Sequence, residues 1–142
     1  MLLSLMNYFQ AKHTKNLLVL KQIYLFLALS WTIIVLSLCL MNSSDIPKVS
    51  IENADKFIHY IFHFVFTVLW FLFINKKYKF IVLKSLSIVV LMSISFGVLI
   101  ELLQTFYTST RSGDFLDVLF NTFGAILASI SILMYKRVFS KK

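Results

Sequence analysis

Four long apolar runs, separated by short polar stretches, organise the chain. The first goes from Gln22 to Met41 without a charge, and the second from Phe57 to Ile74, broken only by His59 and His63. The third runs from Ser85 to Phe106 and the fourth from Phe115 to Tyr135. A helix rises about 1.5 Å per residue, so roughly 20 residues cross a hydrocarbon core about 30 Å thick. The pattern therefore predicts an all-α membrane protein, a four-transmembrane-helix bundle with helices near 22–41, 57–74, 85–106 and 115–135. Residues 22–135 form the transmembrane domain, preceded by the N-terminal segment 1–21 and followed by the basic tail 136–142. The connecting stretches are turn-prone: Asn42-Ser-Ser-Asp45 and the only proline, Pro47, lie in one, and Thr108-Ser-Thr-Arg111-Ser-Gly-Asp114 is another.

Composition supports this reading. Of 142 residues, 59% are hydrophobic and only 14% charged, against about a quarter charged in soluble domains. A soluble fold of this size must present most of its surface to water, which so apolar a chain cannot do well. The first run is long for a signal-peptide core and lacks a small-x-small exit, so it is expected to remain as an anchor. The single Cys39 rules out an internal disulfide framework and reads as a small hydrophobe. Leu36-Ser-Leu-Cys39 looks superficially like a lipoprotein cleavage box, but bulky Leu38 argues against processing there.

The net charge of +8 matters through its location. Eleven of the fourteen lysines and arginines lie in residues 1–21, 75–84 and 136–142; Lys48, Lys56 and Arg111 are the exceptions. The positive-inside rule then predicts an N-in/C-in topology, with the N-terminal segment and the basic tail cytoplasmic. Basic residues that hug membrane ends give no support to nucleic-acid binding. Membrane lipids are the expected partners, with anionic headgroups a secondary contact for these lysines.

That topology gathers polar residues from distant parts of the chain at one depth. Asp55, Lys56 and His59 open the second helix, Glu101 and Gln104 close the third, and Arg111, Asp114, Asp117 and Asn121 lie in the following turn and the start of the fourth. Residues three, four or seven apart share a helical face. Asp55, His59 and His63 form one stripe, Gly97, Glu101 and Gln104 a second, and Asp114, Asp117, Asn121, Gly124 and Ala128 a third. Gly97 and Gly124 are helix-packing positions, because small residues let membrane helices approach closely while polar neighbours bond across the contact.

The motifs Asp55-Lys56-x-x-His59, Gly97-x-x-x-Glu101-x-x-Gln104 and Arg111-Ser-Gly-x-x-x-Asp117-x-x-x-Asn121-x-x-Gly124 resemble the VanZ-like family of small bacterial membrane proteins. The likeness covers roughly residues 20–135. Where many relatives carry a Pro-Gly pair before the arginine, this chain has Thr108-Ser-Thr110. The family is named for an accessory protein of glycopeptide resistance, linked to reduced sensitivity to teicoplanin. The resemblance implies a multi-pass protein of the bacterial inner (cytoplasmic) membrane and names no reaction.

Each polar residue has a bland and a sharp reading. Glu101 within a hydrophobic helix must be neutralised, paired or hydrated, so it is either a clamp or a base or amine ligand. Arg111 either anchors an anion bidentately or neutralises its acidic neighbours. Asp114 suits a helix N-cap, and Asp117 lies in the first turn favoured by the helix dipole. Asn121 and Gln104 are interhelical bonding groups or ligand-orienting ones. His59 and His63 at i, i+4 could hold a metal, with Glu101 or Asp117 as third ligand. Interhelical hydrogen bonding is the preferred reading, so no metal and no cofactor is expected. Trp31, Trp70 and Tyr60 read as belt or lipid-facing residues. Lys56 and Arg111 face Asp55, Glu101, Asp114 and Asp117, so the cluster is net negative, which disfavours a simple phosphate pocket.

Three readings follow. The polar cluster binds an amphiphile at the outer membrane face, such as a lipoglycopeptide antibiotic or a lipid-linked wall precursor. Alternatively it is the centre of a membrane-embedded hydrolase or transferase, with His59, Glu101 and Asp117 as candidate catalytic residues. That needs His59 and Glu101 within about 4 Å, near hydrogen-bond reach, on an open cavity. In the third reading, which a closed, fully paired cluster would favour, the polar residues only lock the helices together.

Overall fold

The computed structural model describes residues 2–41, 54–108 and 113–139. They form α1 (Leu2–Cys39), α2 (Ala54–Tyr78), α3 (Val82–Tyr107) and α4 (Phe115–Phe139), with no strand among the described residues. All four are long and apolar enough to cross a membrane, α1 through its segment Leu18–Cys39. Exposed Phe26, Ile33, Leu83, Leu91, Phe123 and Met134 cover the outside, the surface that lipid requires.

The helices outrun the apolar runs that mark them. α1 starts at Leu2 rather than near residue 22, because lysine, glutamine and leucine are good helix formers. Charge keeps a segment out of hydrocarbon without unwinding it. α2 extends through Lys76 and Lys77, whose charges suit a helix C-terminus. It ends at Lys79, which takes the left-handed conformation (φ 51°) usual just beyond a helix.

α2 is the central element. It packs most extensively on α4 and also contacts α1 and α3, whereas α1 barely touches α3 and makes no contact with α4 among the described residues. The bundle is thus a tight α2–α3–α4 unit with α1 laid against α2. Two apolar clusters hold it. Phe71, Phe73, Ile74, Leu86 and Val89 pack near the α2–α3 connection, and Val35, Cys39 and Ile100 pack nearer the opposite end.

The tryptophans depart from the belt expectation. The indole N–H of Trp31 donates to the Phe62 carbonyl (3.0 Å), and that of Trp70 donates to Thr32 Oγ1 (3.1 Å). Both join α1 to α2, because an indole N–H buried between apolar helices must find an acceptor. Tyr60 is half-buried and stacks on Phe57.

Candidate functional site

The α3–α4 turn is built around the side chain of Glu101. Its Oε2 accepts the backbone N–H of Asp114 (2.9 Å). Thr105 Oγ1 donates to the Glu101 carbonyl (2.9 Å) and accepts the N–H of Gly113 (3.0 Å). A Cβ on Gly113 would lie 2.7 Å from both the Glu101 carbonyl oxygen and Thr105 Oγ1, so the turn closes only on glycine. Asp114 then caps α4, its Oδ1 accepting the N–H of Leu116 (2.8 Å). The cap places Asp117 in the first turn of α4, facing inward.

Against this hairpin α2 brings His59, which is buried. Its Nδ1 lies 3.3 Å from Asn121 Oδ1 and 3.9 Å from Glu101 Oε1, and its Nε2 lies 3.8 Å from Asp117 Oδ2. One imidazole therefore stands between two carboxylates from two helices. The close approach of α2 and α4 makes this reachable: a Cβ on Gly124 would overlap the Tyr60 carbonyl and sit 3.1 Å from the Phe64 nitrogen. Gly97 plays the same part on α3, facing Asn121.

Asp55 opens α2 in an exposed position, and one ligand-capable atom each from Asp55, His59 and Asp117 fall within 4.8 Å of one another. Half-buried Lys56 follows in the same turn, near enough for its charge, like those of Asp55 and Asp114, to act on Asp117. Gln104 is spent elsewhere. Its amide donates to the Cys39 carbonyl (2.8 Å) and satisfies the end of α1. Arg111 lies outside the described residues.

A polar column continues below the cluster. His63 Nδ1 bonds Ser93 Oγ (2.8 Å), and its ring packs beside Phe66 and Phe96, which stack on each other. Thr67, one turn further, is fully buried. The His59–His63 pair is thereby divided between two neighbourhoods. Ser93, Thr67 and Thr105 were not singled out in the sequence. Their only signal was i, i+4 spacing, Thr67 from His63, Thr105 from Glu101 and Ser93 from Gly97, which serines and threonines in membrane helices often share. The column is not a closed network: His63 Nε2, Thr67 Oγ1, Glu101 Oε1, Asp117 Oδ1 and Asn121 Nδ2 are buried without a hydrogen-bond partner.

On the outer side of Glu101 an open groove of about 300 Å³ runs between α3 and α4. Val98, Leu102, Phe115 and Val118 make its walls apolar, while Glu101, Thr105 and Asp114 supply polar groups.

A family model described as VanZ/LLP1 matches residues 2–137. This chain belongs to the VanZ/LLP1 family. No curated protein and no solved structure matches it. Within this VanZ/LLP1 chain the described residues of the three motifs meet at one end of the bundle. The glycines let the helices close, and the acids and His59 occupy the space between them. Four apolar helices and the family make it a multi-pass membrane protein.

Proposed function

We propose that this VanZ/LLP1 protein sits in the bacterial inner (cytoplasmic) membrane with both termini inside, and binds an amphiphile at the outer leaflet. The polar headgroup rests on the Glu101–His59–Asp117 cluster and the acyl chain lies between α3 and α4. A lipoglycopeptide antibiotic or a lipid-linked wall precursor has this chemistry. The carrying observation is the groove itself: apolar along Val98, Leu102, Phe115 and Val118, it is bordered by the polar groups of Glu101, Thr105 and Asp114, the mixed lining that an amphiphile needs. The orientation rests on the lysine-rich ends at residues 75–84 and 136–142.

Native mass spectrometry of the purified protein tests the reading. Wild type should retain a lipid-tailed molecule that Leu102→Trp, which fills the groove, and Glu101→Gln release. In cells, Glu101→Gln and Asp117→Ala should change sensitivity to a teicoplanin-type antibiotic. Variants that insert normally, keep the bound molecule and leave sensitivity unchanged would sink the proposal.

A second reading, hydrolysis or group transfer on a lipid-linked substrate, draws on one distance: His59 Nδ1 lies 3.9 Å from Glu101 Oε1, longer than the roughly 2.6–3.2 Å of a working base and its partner, as catalytic contacts often are before substrate binds. His59→Gln separates the two readings. Loss of product formation from a labelled lipid-linked precursor, with retention of that precursor, selects the enzyme. Binding without any turnover by wild type selects the binder.

A further inference from the structure

The imidazole of His59 stands between an amide and two carboxylates. Nδ1 lies 3.3 Å from Asn121 Oδ1, and Nε2 lies 3.8 Å from Asp117 Oδ2, longer than the roughly 2.7–2.9 Å of a charge-assisted hydrogen bond. Two ligands on one metal ion, each bonded at about 2.1 Å, are separated by roughly 3.4–3.8 Å at tetrahedral or wider angles.

Two further features point to the same place. Asp55 and His59, at i, i+4 on α2, share a face with Asp117 of α4, and their donor atoms fit within 4.8 Å. Asp117 is only 6% exposed, yet its Oδ1 has no hydrogen-bond partner. Glu101, 7% exposed, turns an equally unpartnered Oε1 towards the Nδ1 side of the ring. Metal-bound histidines almost always direct their second ring nitrogen to a carboxylate or carbonyl in this way.

We propose that Asp55, His59 and Asp117 bind one divalent cation of the Zn²⁺ or Mn²⁺ type, with Asn121 and Glu101 fixing the imidazole from behind. Two carboxylates, a neutral imidazole and a divalent ion sum to no net charge, the state that costs least at the edge of a membrane. A mixed nitrogen and oxygen donor set suits Zn²⁺ and Mn²⁺ better than it suits soft, thiol-seeking ions. Exposed Asp55 gives the ion its route in from water. The site differs from the His59–His63 pairing that the sequence suggested, because His63 is engaged by Ser93.

Ion binding needs no amphiphile, so titration tests it independently of the lipid experiments. Tag-free, full-length protein in detergent micelles is titrated calorimetrically with ZnCl₂ and with MnCl₂. At least one ion should bind with one equivalent per chain and raise the melting midpoint. Asp55→Asn, which removes a ligand charge at an exposed position, should weaken binding at least about 100-fold, the upper end of what losing an outer partner does, with circular dichroism of the metal-free variant checking that it folds. Asp117→Asn should weaken it similarly, and His63→Gln should leave it unchanged. Failure of wild type to bind either ion at one equivalent, or wild-type affinity in Asp55→Asn, overturns the proposal.

Discussion

Gly124 and Gly97 meet different neighbours, so the same substitution should cost different amounts. A methyl group on Gly124 would strike α2 backbone at Tyr60 and Phe64, which cannot yield without moving the helix. On Gly97 it would meet Asn121 Nδ2 at 2.7 Å, the end of a side chain with no hydrogen bond at that atom to lose. Gly124→Ala is expected to destabilise by about 1–3 kcal/mol, as overpacking does, and Gly97→Ala by less. Reversible unfolding in detergent measures both, and equal losses would contradict the backbone clash. Glu101 offers a parallel contrast. Glu101→Gln keeps an oxygen for the Asp114 N–H, while Glu101→Ala orphans it at about 1–3 kcal/mol. The alanine variant should therefore unfold first, although both lose the charge. Much of this was legible in the sequence: helical spacing put His59, Glu101, Asp117 and Asn121 on stripes that are buried, although Asp55 on the same α2 stripe is exposed. Spacing selects a face but not a partner. Gln104 shares the stripe of Glu101 yet serves the Cys39 carbonyl, because the stripe at that level also borders α1.

Among the elements, α1 stands apart. It touches α2 along one side, and its polar ties include the indole of Trp70 on Thr32, the indole of Trp31 on Phe62 and the amide of Gln104 on Cys39. Each such bond contributes about 0.5–1.5 kcal/mol. Trp70→Phe should therefore loosen α1 by about that amount and leave the α2–α4 contact intact, which disulfide trapping between α2 and α4 cysteine pairs would report. Loss of α2–α4 cross-linking would contradict the separation. The apolar runs revealed four helices but not this asymmetry, since hydropathy is the same whether a helix faces lipid or protein. They also stopped short of the true ends. Residues 2–21 continue α1 although their lysines end the apolar run, because helix propensity and membrane burial are separate properties of a residue. At Lys79 the opposite holds: a left-handed position filled by a residue with a Cβ. Lys79→Gly should raise stability by up to about 1 kcal/mol, the usual strain of that conformation, measurable by thermal unfolding.

For the molecule as a whole, four helices long and apolar enough to cross a membrane would put both termini on one side, and the distribution of lysines predicts the cytoplasmic one. A fluorescent protein fused after Lys142, bright only when cytoplasmic, should light up in cells, and a dark fusion would invert the assignment. The proposed orientation rests on positive charge alone, which is additive and local and therefore needs no contact between helices. The site was less readable because its geometry depends on the α2–α4 approach, the largest contact in the bundle and one between helices with α3 intervening in sequence.

That separation has a consequence for how the chain is made. His63 meets Ser93 from 30 residues later, and His59 meets Asn121 from 62 residues later. When α2 leaves the ribosome, the groups that satisfy its polar stripe have not been synthesised. A helix with buried imidazoles and no partners is poorly suited to release into lipid, so α2 should wait beside the insertion machinery until α4 arrives. Nascent chains stalled after α3 should cross-link through α2 to that machinery, and chains extended past α4 should not. Bringing His59 late to its acids means that the cluster forms in the last step of biogenesis, when the helices first close on one another.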